Sequence, residues 1–186
     1  IPIQANTWQA LNWPHYLVWD DYQAEFIRRA IGTNKNMRVV VGPIWFHSSV
    51  TELPDLPLKS IAVFGVQPHR DSRYQGLGVD LEYIVPRIAN SFLLDIAEVL
   101  EKLNGVMVLK RKRHIGSFLH KSYRATFQKV IKQDFVIDIE PDTAAIKVIE
   151  RCEAVISFPF TSTALLGKSN SKPSAYYDPS GLIQKD

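Results

Sequence analysis

Three consecutive hydroxyl residues, Thr161-Ser162-Thr163, stand where the apolar run Ala154-Val155-Ile156-Ser157-Phe158 gives way to a short helical pattern. A helix start exposes unpaired backbone N–H groups and a partial positive charge, so it favours an anion, and hydroxyls at the same turn add donors without bulk. That chemistry suits the phosphate of a nucleotide or nucleotide-sugar. The same residues also fit a simple helix cap, with Thr161 or Ser162 in the capping position, and the two roles are compatible because both use one turn.

Other polar clusters recur at the ends of apolar runs. Gln67, His69, Arg70 and Arg73 follow Ser60-Ile61-Ala62-Val63-Phe64-Gly65-Val66, and Lys110-Arg111-Lys112-Arg113-His114 follows Val106-Met107-Val108-Leu109. Glu140 and Asp142 follow Phe135-Val136-Ile137-Asp138-Ile139, and Asp178 follows the stretch 173–177. Ligands of open parallel sheets bind beyond the carboxyl ends of the strands, so five clusters on one edge carry more weight than any one. A cation from Lys110 to Arg113, or from Arg70, would stabilise the negative charge of a phosphate. His69 is the candidate for proton transfer, because imidazole titrates near neutral pH, with Arg70 beside it.

The elements that must position these residues alternate along the chain. A short run at 16–19, a helix from Asp20 to Ile31 and a buried run at 37–41 form a strand-helix-strand unit. Residues 43–59 carry Pro43, Pro54 and Pro57 without a period and read as a linker. Then come a strand from Ser60 and a helix over about 83–103, with Pro86 near its start and Asn104-Gly105 after its end. Further strands are expected at 106–109, 135–139, 155–158 and 173–177, with helices at 118–132 and 142–152. This alternation predicts an α/β fold: a Rossmann-like parallel sheet flanked by helices, preceded by a short strand-helix-strand piece of a second domain. The expected boundaries are 1–42, 43–59 and 60–186.

Composition narrows the function classes. The 186 residues carry a net charge of +3 with a pI near 9.0, and the basic residues concentrate at 110–114. A focused cluster fits a phosphate-bearing small ligand and not long duplex DNA, which needs a broader positive face, so no nucleic-acid partner is expected. The single cysteine, Cys152, excludes an internal disulfide and reads as a buried thiol in a helix. His15, His47, His69, His114 and His120 have no ligand-like spacing, so no metal site is expected. GxGxxG, Walker A and GxSxG motifs are absent from the sequence, which disfavours dinucleotide oxidoreductases, P-loop NTPases and α/β hydrolases. Without a transmembrane run or signal pattern the expectation is a cytoplasmic protein, at the inner face of a membrane if it makes peripheral contact with one.

The strand with its basic exit (VMVLKRKRH), the unit FVIDIEPDTAAIKVIERC and the segments AVISFPFTSTALL and KPSAYYDP together resemble the donor-binding half of GT-B glycosyltransferases. The resemblance is to bacterial sialyltransferase-like and Kdo-transferase-like enzymes of surface carbohydrates, and it covers about 130 residues from Ser60 onwards. It implies a GT-B donor domain that uses a nucleotide-activated sugar, CMP-linked in those enzymes, as substrate, with no cofactor and no metal. By resemblance Ser162 and Thr163 hold the phosphate with Thr161 nearby, Lys110, Lys112 and His114 lie near the nucleotide, and Glu140 lies near its base or ribose. It further implies a glycan or lipid-linked acceptor, a role in surface polysaccharide or lipopolysaccharide assembly, and a chain that is a fragment whose N-terminal acceptor domain is missing. Two other classes compete: a nucleotide-sugar epimerase of the same architecture, needing cleft carboxylates such as Asp71, Glu140 or Asp178, and a non-enzymatic binding module.

Overall fold

The computed structural model describes residues 13–31, 37–41, 52–70, 84–159 and 161–181. The chain divides into two compact units, Ile1–His47 and Ser48–Asp186.

In the first unit strand β1 (His15–Val18) and strand β2 (Met37–Val40) pair in parallel, with helix α1 (Asp21–Ile31) between them in sequence. The Asp20 carboxylate accepts the Gln23 N–H at 2.7 Å while the Gln23 side chain accepts the Trp19 N–H, so α1 starts on a reciprocal cap. Tyr16, Val18 and Ile27 form the small core of this unit, with Ala24 and Ile31 packed against it.

The second unit is built on a five-stranded sheet in which every pairing is parallel. Its strands are β3 (Ser60–Phe64), β4 (Val106–Lys110), β5 (Val136–Ile139), β6 (Ala154–Ser157) and β7 (Ser174–Tyr176). The spatial order is β5-β4-β3-β6-β7. Helix α2 (Pro86–Lys102) links β3 to β4, and α3 (Lys121–Val130) links β4 to β5. Helix α4 (Ala145–Arg151) carries the chain back to β6, and α5 (Thr163–Ser169) leads on to β7. The chain thus lays strands to one side of β3 and then returns to lay them on the other. The expected α/β parallel-sheet architecture is what the chain adopts.

Alternation along the strands decides which side chains meet which helices. Val63, Met107 and Leu109 face α2 and α3, where they join Phe92, Phe127 and Phe158 in one cluster. The buried positions of α2 recur as Ile88, Phe92, Ile96 and Leu100, a single apolar stripe. Phe92 and Phe158 meet edge-on with ring centroids 5.4 Å apart. Cys152 is 1% exposed, and burial pushes its thiol pKa up to about 11, as a structural thiol requires.

Two helix ends share one device. Asn104 (φ 51°) and Ser171 (φ 57°) take left-handed conformations. The N–H groups of Gly105 and Lys172 then reach back to the carbonyls of Leu100 and Gly167, both at 2.9 Å, closing each helix and feeding the chain into β4 and β7. Helix α3 begins at Lys121, later than the periodicity suggests, because the preceding residues are drawn into backbone pairing with the segment after β3. Arg70 N–H donates to Phe118 O at 2.9 Å and His120 N–H to Pro68 O at 3.1 Å. His120 then caps α3 through its side chain.

Helix α5 packs directly on the sheet because residue 167 has no side chain. A Cβ there would collide with Ser174 Oγ and lie 2.7 Å from Val155 Cγ2. Gly→Ala in an ordinary helix interior stabilises by about 1 kcal/mol. Here the sign is expected to reverse: Gly167→Ala should destabilise the domain by roughly 1–3 kcal/mol through overpacking, read as a lower urea midpoint.

Candidate functional site

A crevice of about 390 Å³ opens at the carboxyl edge of the five-stranded sheet, lined by Phe64 and Gly65, Lys110 to Lys112, Ala145 and Thr161 to Thr163. These residues come from the ends of β3 and β4, the start of α4 and the turn after β6. β3 and β6 are the adjacent strands whose connections run to opposite sides, so the crevice occupies the topological switch point, where open α/β sheets bind ligands. The volume lies within the ordinary range for small-molecule sites.

Lys110, the last residue of β4, is 7% exposed. Its ammonium donates to Arg111 O at 2.6 Å and to Pro141 O at 2.8 Å, which spans the gap between the exits of β4 and β5. An ammonium has three donors, so one remains. Among the described residues no carboxylate lies within ion-pair distance of it. Burial therefore lowers its pKa below the ordinary lysine value of 10.5, with the neighbouring Arg111 charge adding to the effect. A buried cation without an anion is costly unless a ligand supplies one.

Arg111 is neutralised where Lys110 is not. Its guanidinium makes two parallel bonds to the Asp138 carboxylate, at 2.8 and 2.9 Å, and lies 5.5 Å from the centroid of the Phe127 ring. Glu140 is a looser third partner at 3.7 Å, its side chain 65% exposed. Lys112 lies on the crevice wall, exposed, with no carboxylate partner among the described residues.

Across the crevice, the hydroxyl turn is held by its own side chains. Thr161 Oγ1 donates to Phe158 O at 2.6 Å, so its single proton is used. It follows that Thr163 donates in its 3.3 Å contact with Thr161, and that buried Ser157 donates to Thr163 at 2.8 Å. Tyr176 OH donates to Thr161 O at 2.8 Å and ties the turn to β7. Ser162 occupies the cap position of α5 without making a side-chain cap bond. Its hydroxyl has no partner among the described residues, so it is the one on this turn that keeps a free proton. The turn is shaped by hydroxyls at 161 and 163 and offers a donor from 162.

The structure therefore gathers Lys110, Lys112, Thr161, Ser162 and Thr163 around one space, and Gln67, His69, Arg70, His114 and Glu140 are not in its lining. The Gln67 amide clasps the backbone of Arg113, accepting from its N–H and donating to its carbonyl, both at 2.8 Å. His69 Nε2 lies 3.3 Å from Arg113 Nη1, and since a guanidinium can only donate, that nitrogen is the acceptor. Arg70 follows in the strip paired with Phe118. His114 Nε2 contacts the Asp142 carboxylate at 3.1 Å, both side chains largely exposed. Arg73, like Asp71, lies outside the described residues, and Asp178 accepts from the N–H and hydroxyl of Ser180.

Sequence reasoning offers Arg111 as one cation of the run 110–113 and misses Asp138, the carboxylate that neutralises it. The available signal was Asp138 itself: a carboxylate inside the apolar strand Val136–Ile139 needs a partner, and β5 lies beside β4, with Asp138 opposite Leu109 and Ile139 opposite Lys110. The state of Lys110 has a measurable consequence. In the window between its lowered pKa and 10.5 the unfolded chain binds more protons than the folded one, so this residue makes stability rise with pH. Lys110→Met should remove that contribution, seen as a flatter urea stability profile across the alkaline range up to about pH 10.5.

Among the described residues no helix is long and apolar enough to cross a membrane. Neither the curated proteins nor the solved structures contain a match to this chain. The family described as "Polysaccharide biosynthesis PFTS motif protein" matches residues 3–186. The tetrapeptide in that description is present as Pro159-Phe160-Thr161-Ser162, and its Thr161 and Ser162 are the crevice residues of the turn after β6. With nearly its whole length matched, the chain belongs to the polysaccharide biosynthesis PFTS motif family.

Proposed function

We propose that the second unit binds the phosphate of a nucleotide-sugar donor in this crevice, as the donor-binding part of a GT-B-type glycosyltransferase of surface polysaccharide or lipopolysaccharide assembly. The observation that carries the reading is Lys110, a cation 7% exposed, held by two carbonyls and lacking a carboxylate among the described residues, on the wall of a cavity at the switch point. Family membership in polysaccharide biosynthesis supports the same direction.

On this reading the sugar–phosphate bond breaks at the anomeric carbon and its electron pair goes to the phosphate oxygen. Lys110, Lys112 and the Ser162 hydroxyl stabilise the charge that grows there, inside a site where electrostatic contacts are stronger than in water. Thr161 and Thr163 keep the turn in shape. The acceptor hydroxyl oxygen forms the new bond to the anomeric carbon, and its proton passes to a base outside this crevice. The acceptor is a glycan or a lipid-linked glycan, and the reaction runs on the cytoplasmic face of a membrane, where peripheral contact would bring the acceptor within reach. An epimerase would need carboxylates around the sugar, and no carboxylate lines the crevice among the described residues.

The test is calorimetric titration of the protein with CMP, CDP, UDP, GDP and ADP, with and without Mg²⁺. Binding of one nucleotide is expected. Lys110→Met should weaken it about tenfold or more, as expected for the loss of a charge-assisted hydrogen bond, and Ser162→Ala by a few-fold. Absence of binding by every nucleotide, or binding untouched by Lys110→Met, would overturn the assignment.

A further inference from the structure

We infer that Arg111 serves the crevice as a positioning residue for Lys110, acting through Asp138 and not through its own charge. This rests on the phosphate-binding reading above, but it is carried by a different set of contacts. The guanidinium of Arg111 is held by two partners in a buried position. Asp138 holds it in a two-pronged pair, Phe127 lies under its plane, and the residue as a whole is 9% exposed. A planar donor fork matched to a carboxylate fixes direction as well as distance.

What this pair fixes is the backbone on either side of Lys110's ammonium. Arg111 provides one carbonyl that receives it, at 2.6 Å. The other belongs to Pro141, three residues beyond Asp138 on the exit of β5, at 2.8 Å. The ion pair and the lysine therefore bridge the same two strand exits. The pair locks the distance between them and the lysine uses the carbonyls that distance brings together. Among the described residues Lys110 has no carboxylate to direct it, so its remaining N–H is aimed by these two oxygens. The charged groups around it are Arg111 on its own exit and Asp138 and Asp142 from the β5 side; Lys112 lines the same wall and Glu140 stands near Arg111. The facing turn Thr161 to Thr163 carries no charge.

Charge alone and positioning predict opposite signs for one substitution. Asp138→Asn removes a negative charge next to a phosphate site, so a purely electrostatic role predicts tighter phosphate binding. Loss of the two-pronged pair predicts weaker binding, because Lys110 loses its seat. Arg111→Lys keeps the charge and loses the fork, and positioning predicts that it also weakens binding. The experiment measures inorganic phosphate and pyrophosphate affinity across pH for wild type, Asp138→Asn, Arg111→Lys and Lys110→Met. Alongside it, ¹H–¹⁵N NMR of the lysine ammonium groups is recorded without ligand, with circular dichroism as the folding control.

Affinity should fall at least five-fold in Asp138→Asn and Arg111→Lys. The pH at which binding fades should move upwards in both, towards that of an ordinary lysine, as Lys110 becomes solvated. The slowly exchanging Lys110 ammonium signal of the wild type should disappear. Tighter binding in Asp138→Asn, wild-type binding in Arg111→Lys, or a Lys110 signal unchanged in either folded variant would each overturn the inference. If wild type binds neither anion, the phosphate-binding reading fails by itself. The ammonium signal, which needs no ligand, then still decides whether Arg111 seats Lys110.

Discussion

The central position of β3 is the constraint from which the rest follows. It pairs with β4 on one side and β6 on the other, so the chain must leave β3, lay down β4 and β5, and cross back before it can place β6 and β7. A parallel sheet needs cover on both faces, and crossovers of one hand put the helices of the two halves on opposite faces. Between the exits of β3 and β6 the two connections diverge, and among the described residues the crevice opens there. The crevice is the geometric consequence of this reversal, present before any particular side chain is chosen.

The side chains around that space divide into those that build and those that face outward to a ligand. Thr161, Thr163 and Ser157 pass their protons inward along a chain that ends on Phe158 O, and Tyr176 clasps the turn from the edge strand. Arg111 and Asp138 neutralise each other. Among the described residues, one N–H of Lys110, the ammonium of Lys112 and the hydroxyl of Ser162 remain without a partner. Polar groups left without partners at the edge of a core are destabilising in isolation, and their presence together in a cavity is the physical reason for reading it as a binding site.

The first unit obeys the same rules on a smaller scale. Its two parallel strands and one helix bury Tyr16, Val18 and Ile27 and leave Leu17, Met37 and Val39 exposed on the opposite face of the strand pair. Among the described residues of this unit, one helix covers one face of the strand pair, and a sheet of two strands needs cover on the other face as well.

Periodicity in the sequence determined the α/β class, because burial imposes a 3.6-residue repeat on α2 and near-continuous apolar runs on β3, β4 and β6, and neither depends on where the elements end up. It also placed Lys110, Lys112, Thr161, Ser162 and Thr163 at strand exits on one edge, since exits follow from strand boundaries. Only the tertiary structure decided which polar clusters meet. Strand order is set by long-range packing, so nothing local in the segment 67–70 shows that it pairs with Pro68–His120 and Arg70–Phe118 backbone bonds instead of lining the crevice. The role of each proton is equally non-local. Thr161 and Ser162 are neighbours with the same functional group, yet one hydroxyl is bound to Phe158 O and the other has no partner among the described residues, because only the folded turn fixes which acceptor lies within reach.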